Sequence, residues 1–358
     1  MNYQRKPVNK EPGNAVQVKV SFLNKKLPLS VTLIISIVSL FIISFQYVLS
    51  GNKKQFNQPI QEPIQSCNVK MNQLRLNEYE FTHPLLITDV NTESENFTDL
   101  KLYLEQLINN KKNQGAFADA SVYFRKLGTG EFISVNGSHE FMPGSIYKIP
   151  ILITYLKESE KNPKLLSKEI FSGTNNTAAL DQSFEEKLIS ENKNYSVKDL
   201  LEHMIVQSDN FATKLLLENM NVLDFQKLFA DLGMPKPDIY DRSLTTNATD
   251  IAKFLRVLYN ASFINDENSE YALRLLSKST FRNGILSPLP PDIKSAHKFG
   301  EAGAPGEKQL HEAAIIYGNT CTYLLVVMTR GTNVDALTPV MSEISKYVYD
   351  YMNGNNKA

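Results

Sequence analysis

The sequence predicts an α+β domain, a mixed antiparallel sheet flanked by helices plus a helical subdomain, behind one N-terminal transmembrane helix. Three observations carry this. Segments with strand character lie near residues 121–135 and again near 295–329. The region between them has the apolar period of helices, so a single sheet must be assembled from distant segments. Ahead of both stands a long, uncharged apolar run.

That run, Val31 to Leu49, rises about 1.5 Å per residue as a helix and so spans the ~30 Å hydrocarbon layer of a bilayer. Arg5, Lys6, Lys10, Lys19, Lys25 and Lys26 precede it against the single acid Glu11. This excess of positive charge keeps the N-terminus cytoplasmic and puts everything after Ser50 outside the cell membrane. The competing reading is a cleaved signal peptide, whose apolar core is usually shorter. The expected organisation is a basic cytoplasmic N-terminus over residues 1–27, a single-pass transmembrane helix over 28–50, a linker over 51–75 and a catalytic domain over 76–355. The linker is rich in Gln, Asn, Lys and Pro with little apolar periodicity, as in a solvated tether.

Within the domain, Thr98 to Lys112 has helical spacing, and Ser121 to Val135 reads as two strands around Leu127-Gly128-Thr129-Gly130. A helix is expected from Ser145 to Ser159, then a polar stretch to about Asn194. Ser196 starts a Ser-x-x-Asp pattern that suits a helix N-cap. Further helices are expected over Phe211 to Met220, Val222 to Leu232 and Asn247 to Tyr259. Strands follow over Ser295 to Gly300, Glu312 to Tyr317 and Thr322 to Thr329, and an amphipathic helix from Val334 to Met352 closes the chain.

Composition removes some function classes. The 38 basic residues are balanced by 38 acidic ones, so no global field draws nucleic acid. Cys67 and Cys321 are far apart and read as two unrelated thiols. His203, His297 and His311 show no metal-ligand spacing and read as structural. No metal or cofactor is expected.

The chemistry lies in three short motifs. Ser145-Ile146-Tyr147-Lys148 sets a lysine one helical turn from a serine, and a serine hydroxyl needs such a neighbouring base to become a nucleophile. Pro143-Gly144 lets the serine open its helix, where free N–H groups can stabilise an oxyanion. A lone Ser-x-x-Lys arises by chance about once in a chain of this size. Ser208-Asp209-Asn210, between two helical segments, and Lys298-Phe299-Gly300, on a strand, follow it in order. Asp209 itself reads as a helix cap.

On these motifs the sequence resembles the class A β-lactamases and related penicillin-binding serine enzymes, over roughly residues 95–353. The resemblance implies a β-lactamase/transpeptidase-like fold. It implies Ser145 as the acylated nucleophile, Lys148 as its proton acceptor, Ser208 as the proton shuttle to the leaving nitrogen, and Lys298 as a source of positive potential. Asn210, Gly300 and Glu301 fall at substrate-binding positions, and the backbone N–H groups of Ser145 and Glu301 at the oxyanion hole. The substrate implied is a β-lactam or a peptidoglycan stem peptide.

Two departures narrow this. Phe299 stands where the family usually has a hydroxyl residue that binds the substrate carboxylate, and a phenyl ring donates no hydrogen bond. The loop from Gly233 to Asp250 holds no glutamate to activate the deacylating water, and its internal carboxylates are Asp238 and Asp241. Slow release of the acyl group is the expected result. Three functions therefore stand open: β-lactam hydrolysis with slow deacylation, a D,D-peptidase or transpeptidase, and a tethered binding or sensor module that has lost turnover.

Overall fold

The computed structural model describes residues 71–355 apart from 77, 79, 91, 175–183, 185–187, 239–243 and 305. The basic N-terminus, the apolar run over 28–50, Cys67 and Asp241 lie outside these residues. Among the described residues no helix is long and apolar enough to cross a membrane.

In chain order the elements are β1 (Met71–Arg75), β2 (Leu85–Val90), α1 (Thr98–Asn113), β3 (Asp119–Lys126) and β4 (Phe132–Val135). Next come α2 (Lys148–Lys161), β5 (Glu169–Phe171), β6 (Asn194–Ser196), α3 (Val197–Val206), α4 (Asn210–Asn219) and α5 (Val222–Asp231). The chain ends with α6 (Ala248–Tyr259), α7 (Asp266–Ser277), β7 (Lys294–Ala304), β8 (Glu307–Tyr317), β9 (Thr322–Gly331) and α8 (Val334–Met352).

The main sheet has the order β4-β3-β9-β8-β7, and every ladder in it is antiparallel. Strands from both ends of the domain therefore meet at the β3–β9 pair, as the strand–helix–strand pattern requires. Side chains alternate across such a sheet, and β9 shows the consequence. Leu324, Val326 and Met328 face one core with the helical subdomain, whereas Tyr323, Leu325 and Val327 face a second core with α1 and α8. Full burial of one such Leu or Val contributes about 1.5–3 kcal/mol, so the central strand is secured from both faces.

The tether was expected to reach residue 75, but β1 is already strand and pairs antiparallel with β2. Four of its five residues are exposed, so it carries no apolar period to read. Leu86 and Ile87 of β2 bury this ribbon in the helical core, and a polar clamp adds to them. Arg125 on β3 and Arg256 on α6, both buried, converge on the Asp89 carboxylate at 3.0 and 2.8 Å and also donate to the Thr88 carbonyl.

Helix starts follow their caps. Ser196 accepts from the Asp199 N–H at 3.1 Å, and Asp199 accepts in return from the Ser196 N–H at 3.3 Å, the reciprocal box that the sequence suggested. Two features of the helical region were not expected. The polar stretch before Asn194 contributes the short β5–β6 pair, and residues after Asn265 form α7. The buried face of α7 is Ser269, Ala272, Leu275 and Leu276, too small and too polar at one end to register as a helical stripe.

Candidate active site

Ser145 sits in a 3₁₀ turn, Gly144–Tyr147, that feeds α2, rather than in the first turn of an α-helix as expected. The tighter i→i+3 bonding begins with the Ile146 N–H donating to the Pro143 carbonyl at 3.3 Å. Gly144 has φ +53°, and a Cβ there would run into the Glu301 carbonyl. Gly300 is equally crowded: a Cβ would lie 2.7 Å from Pro143 O and 3.0 Å from Ser145 N. The nucleophile turn and the edge of β7 thus touch backbone to backbone, with the N–H groups of Ser145 and Glu301 at the seam. Paired N–H groups in that setting suit a developing oxyanion.

Around the turn, three distant segments converge on one hydroxyl. Lys148 on α2 donates to Ser208 Oγ at 3.2 Å, to the Ser208 carbonyl and to Asn210 Oδ1 at 2.8 Å. Lys298 on β7 donates to the same Ser208 Oγ at 2.9 Å. Ser208 is 2% exposed and Lys298 0%. Ser208 holds a left-handed backbone, φ +56°, a conformation that costs a non-glycine residue on the order of 1–2 kcal/mol and here aims its hydroxyl between the two lysines. Two ammonium groups on one hydroxyl repel each other across that oxygen.

A cavity of 280 Å³ opens at this point, lined by Ser145, Lys148, Asn210 and Glu301 among the expected residues. Tyr147, Leu217, Phe225 and Leu244 supply its apolar wall. Burial, followed by the nearby Asp250 and Glu140 charges, pushes the Tyr147 phenol up. Asp209, as expected, is a cap: its Oδ1 accepts from the N–H groups of Phe211 and Ala212 at 2.8 and 2.9 Å. Its Oδ2 accepts from the Ile189 N–H at 2.6 Å. Of the two loop carboxylates, Asp238 is exposed and does not line the cavity.

Phe299 is 8% exposed and packs away from water with Phe281 and Phe184. Two histidines brace the strands behind the site. His297 Nδ1 lies 2.8 Å from Glu312 Oε1, both fully buried. His311 binds the Met142 carbonyl through Nε2 at 2.9 Å and accepts from the Thr329 N–H at Nδ1. Met142 lies just before the nucleophile turn, so this bond fixes where β8 meets it.

The sequence model for the beta-lactamase enzyme family matches residues 99–352. The chain belongs to that family. Among solved structures, this β-lactamase-family chain is similar to PBP-A, with a TM-score of 0.62, 20% identity and coverage of 72% of this chain and 97% of that one. It is similar to a β-lactamase from Sphaerobacter thermophilus, with TM-score 0.60 and 18% identity over 71% of this chain and 98% of the other. A class A β-lactamase from Mycobacterium abscessus gives 0.59 and 19% over 71% and 99%. At these identities the likeness speaks to the fold. No curated protein matches the chain.

Within this β-lactamase-family fold, all seven sequence-derived site residues fall around one centre. Sequence reasoning missed the apolar wall of Leu217, Phe225 and Leu244, whose residues read as ordinary helix and loop positions. It also missed Phe184 and Phe281, which lie in segments without a motif.

Proposed function

We propose that the chain is a β-lactamase-type serine acyl-transfer enzyme that forms an acyl-Ser145 intermediate and releases it slowly. The observation that carries this is the convergence of Lys148 and Lys298 on Ser208 Oγ beside a cavity lined by Ser145. Ser145 Oγ attacks an amide carbonyl and passes its proton to the Lys148 amine. The oxyanion takes the N–H groups of Ser145 and Glu301. As the C–N bond breaks, the Ser208 hydroxyl gives its proton to the leaving nitrogen and is resupplied through the lysines. Asn210 holds the substrate amide. Water then splits the ester, and with no loop carboxylate lining the cavity among the described residues, this half of the cycle is slow. β-lactams are the proposed substrates, with the domain held outside the cell membrane by the apolar run over residues 28–50.

A second reading, a D,D-peptidase or transpeptidase on peptidoglycan stem peptides, is favoured by the absence of glutamate from the sequence between Gly233 and Asp250. It is also favoured by the likeness to PBP-A, a variant of which is solved as an acyl-enzyme complex with penicillin G. A time course separates the readings. Intact mass after mixing the full-length chain with benzylpenicillin follows both formation and loss of the adduct. An adduct that persists for minutes supports slow release. Release of terminal D-Ala from a muropeptide selects the peptidase, and saturable binding with no adduct selects a binding module.

A further inference from the structure

We propose that the site takes acyl donors uncharged at the end that faces Lys298, because that cation is fully buried against Ser208 and the neighbouring Phe299 ring, stacked on Phe281 and edged by Phe184, offers an anion no donor. The inference rests on the acyl-Ser145 reading above and specifies its substrates.

The Phe299 ring centroid lies 4.3 Å from Lys298 Nζ. A carboxylate that pairs with an ammonium needs to approach to about 2.8 Å, and the ring already occupies part of the space around Nζ. The ammonium is also wholly withdrawn from solvent and is turned inward to Ser208 Oγ at 2.9 Å and the Phe299 carbonyl at 3.2 Å. A buried cation over an aromatic face gains attraction from the ring itself, so the ring offsets part of what a bound anion would contribute.

Phe299 is not a loose cover. Phe281 stacks on it with centroids 4.3 Å apart and planes at 19°. Phe184 meets both rings edge-on, 4.9 Å from Phe281 and 5.5 Å from Phe299. Displacing Phe299 to admit an anion breaks this packing and puts a charge among three phenyl rings, where burial of an ion is most costly.

The rest of the cavity points the same way. Its wall of Tyr147, Leu217, Phe225 and Leu244 is apolar, and Glu301 brings a carboxylate to it, tied to Lys308 at 3.6 Å. An anionic group near Ser145 meets Glu301, hydrocarbon and a Lys148 ammonium already bonded to Ser208 and Asn210, whereas a neutral amide or ester meets Asn210 and apolar contacts. Loss of one charge-assisted hydrogen bond lowers binding about 10- to 100-fold, which sets the size of the preference.

The test compares benzylpenicillin with its methyl ester on the full-length chain. The two share ring, acyl carbon and leaving nitrogen and differ by one charge. Second-order acylation rates are read by intact mass, with a fluorophosphonate probe of Ser145 alongside. The ester is expected to acylate at least as fast as the acid. Phe299→Ser is expected to raise the acid rate about 10- to 100-fold and leave the ester rate within a few-fold. An acid rate tenfold or more above the ester in the unaltered chain overturns the inference, as does an unchanged acid-to-ester ratio in a folded Phe299→Ser variant. If that variant does not fold, Phe281→Ala removes the ring stacked on Phe299 and is judged by the same ratio. Phosphonate labelling of Ser145 with an acid preference sinks this inference alone. No adduct from any of the three reagents sinks the acyl-Ser145 reading and this inference with it.

Discussion

The ammonium of Lys298 donates to the hydroxyl of Ser208 at 2.9 Å across a sequence separation of 90 residues. Lys148 reaches the same oxygen at 3.2 Å. The hydroxyl therefore links both lysines of the proposed proton path, and its removal separates them. Ser208→Ala is expected to lower the acylation rate by about 10²–10⁴-fold, the range for loss of a positioned acid. Lys148 keeps its bonds to the residue-208 carbonyl and to Asn210, so the change in stability stays within about 1–3 kcal/mol. Acylation kinetics and thermal melting of the variant read the two effects separately.

Gly300 offers a purely geometric test. A methyl at this position meets Pro143 O at 2.7 Å, Ile146 N at 2.8 Å and Ser145 N at 3.0 Å, all of them backbone. Gly300→Ala must push β7 away from the nucleophile turn, and a misplacement near 1 Å can cost about 100-fold in rate. The expected variant binds ligand, melts within a few degrees of the parent and acylates about 100 times more slowly.

His311 predicts acid lability. Burial holds its imidazole down to about 4, against an ordinary value of 6.5, with the nearby Arg330 charge acting in the same direction. Protonation is therefore easier in the unfolded chain. The stability this group contributes is intact above pH 6.5 and is lost as pH falls from 6.5 towards 4, by up to about 3 kcal/mol. Unfolding free energy measured across that window is expected to fall with acidification, and His311→Gln should flatten the slope while lowering the plateau.

Glu158 on α2 works in the opposite sense. Burial, followed by Asp224 close by, raises its carboxyl from 4.5 to about 7. Below pH 4.5 both states hold the proton and nothing is lost. Between 4.5 and 7 the unfolded chain releases it first, so this group removes stability as pH rises, on the order of 1 kcal/mol once solvent screening is allowed for. Glu158→Gln is expected to be more stable relative to the parent at pH 8 than at pH 4. Equal differences at the two pH values would contradict it.

The chemistry was legible in the sequence because each motif is local. Ser145 and Lys148 lie one turn apart, Ser208 and Asn210 flank a capping aspartate, and Lys298 sits on a strongly patterned strand. The alternation of Leu324, Val326 and Met328 against Tyr323, Leu325 and Val327 made the strand equally plain. What stayed hidden depends on partners distant in sequence. Nothing near Phe184 or Phe281 signals that they meet at Phe299. Asp89 gives no hint that two buried arginines hold it, so β1 read as tether. The 3₁₀ turn at Ser145 packs backbone to backbone on Gly300 and Glu301, residues far along the chain.

The central claim is that Ser145 becomes acylated. The most direct measurement is proteolytic digestion of the full-length chain after brief exposure to a fluorescent penicillin, with the labelled peptide mapped by mass. One label per chain on the peptide that contains Ser145, absent from Ser145→Ala, is the result expected here. A folded chain that acquires no label, or carries it on another residue with Ser145→Ala labelled equally, would contradict it.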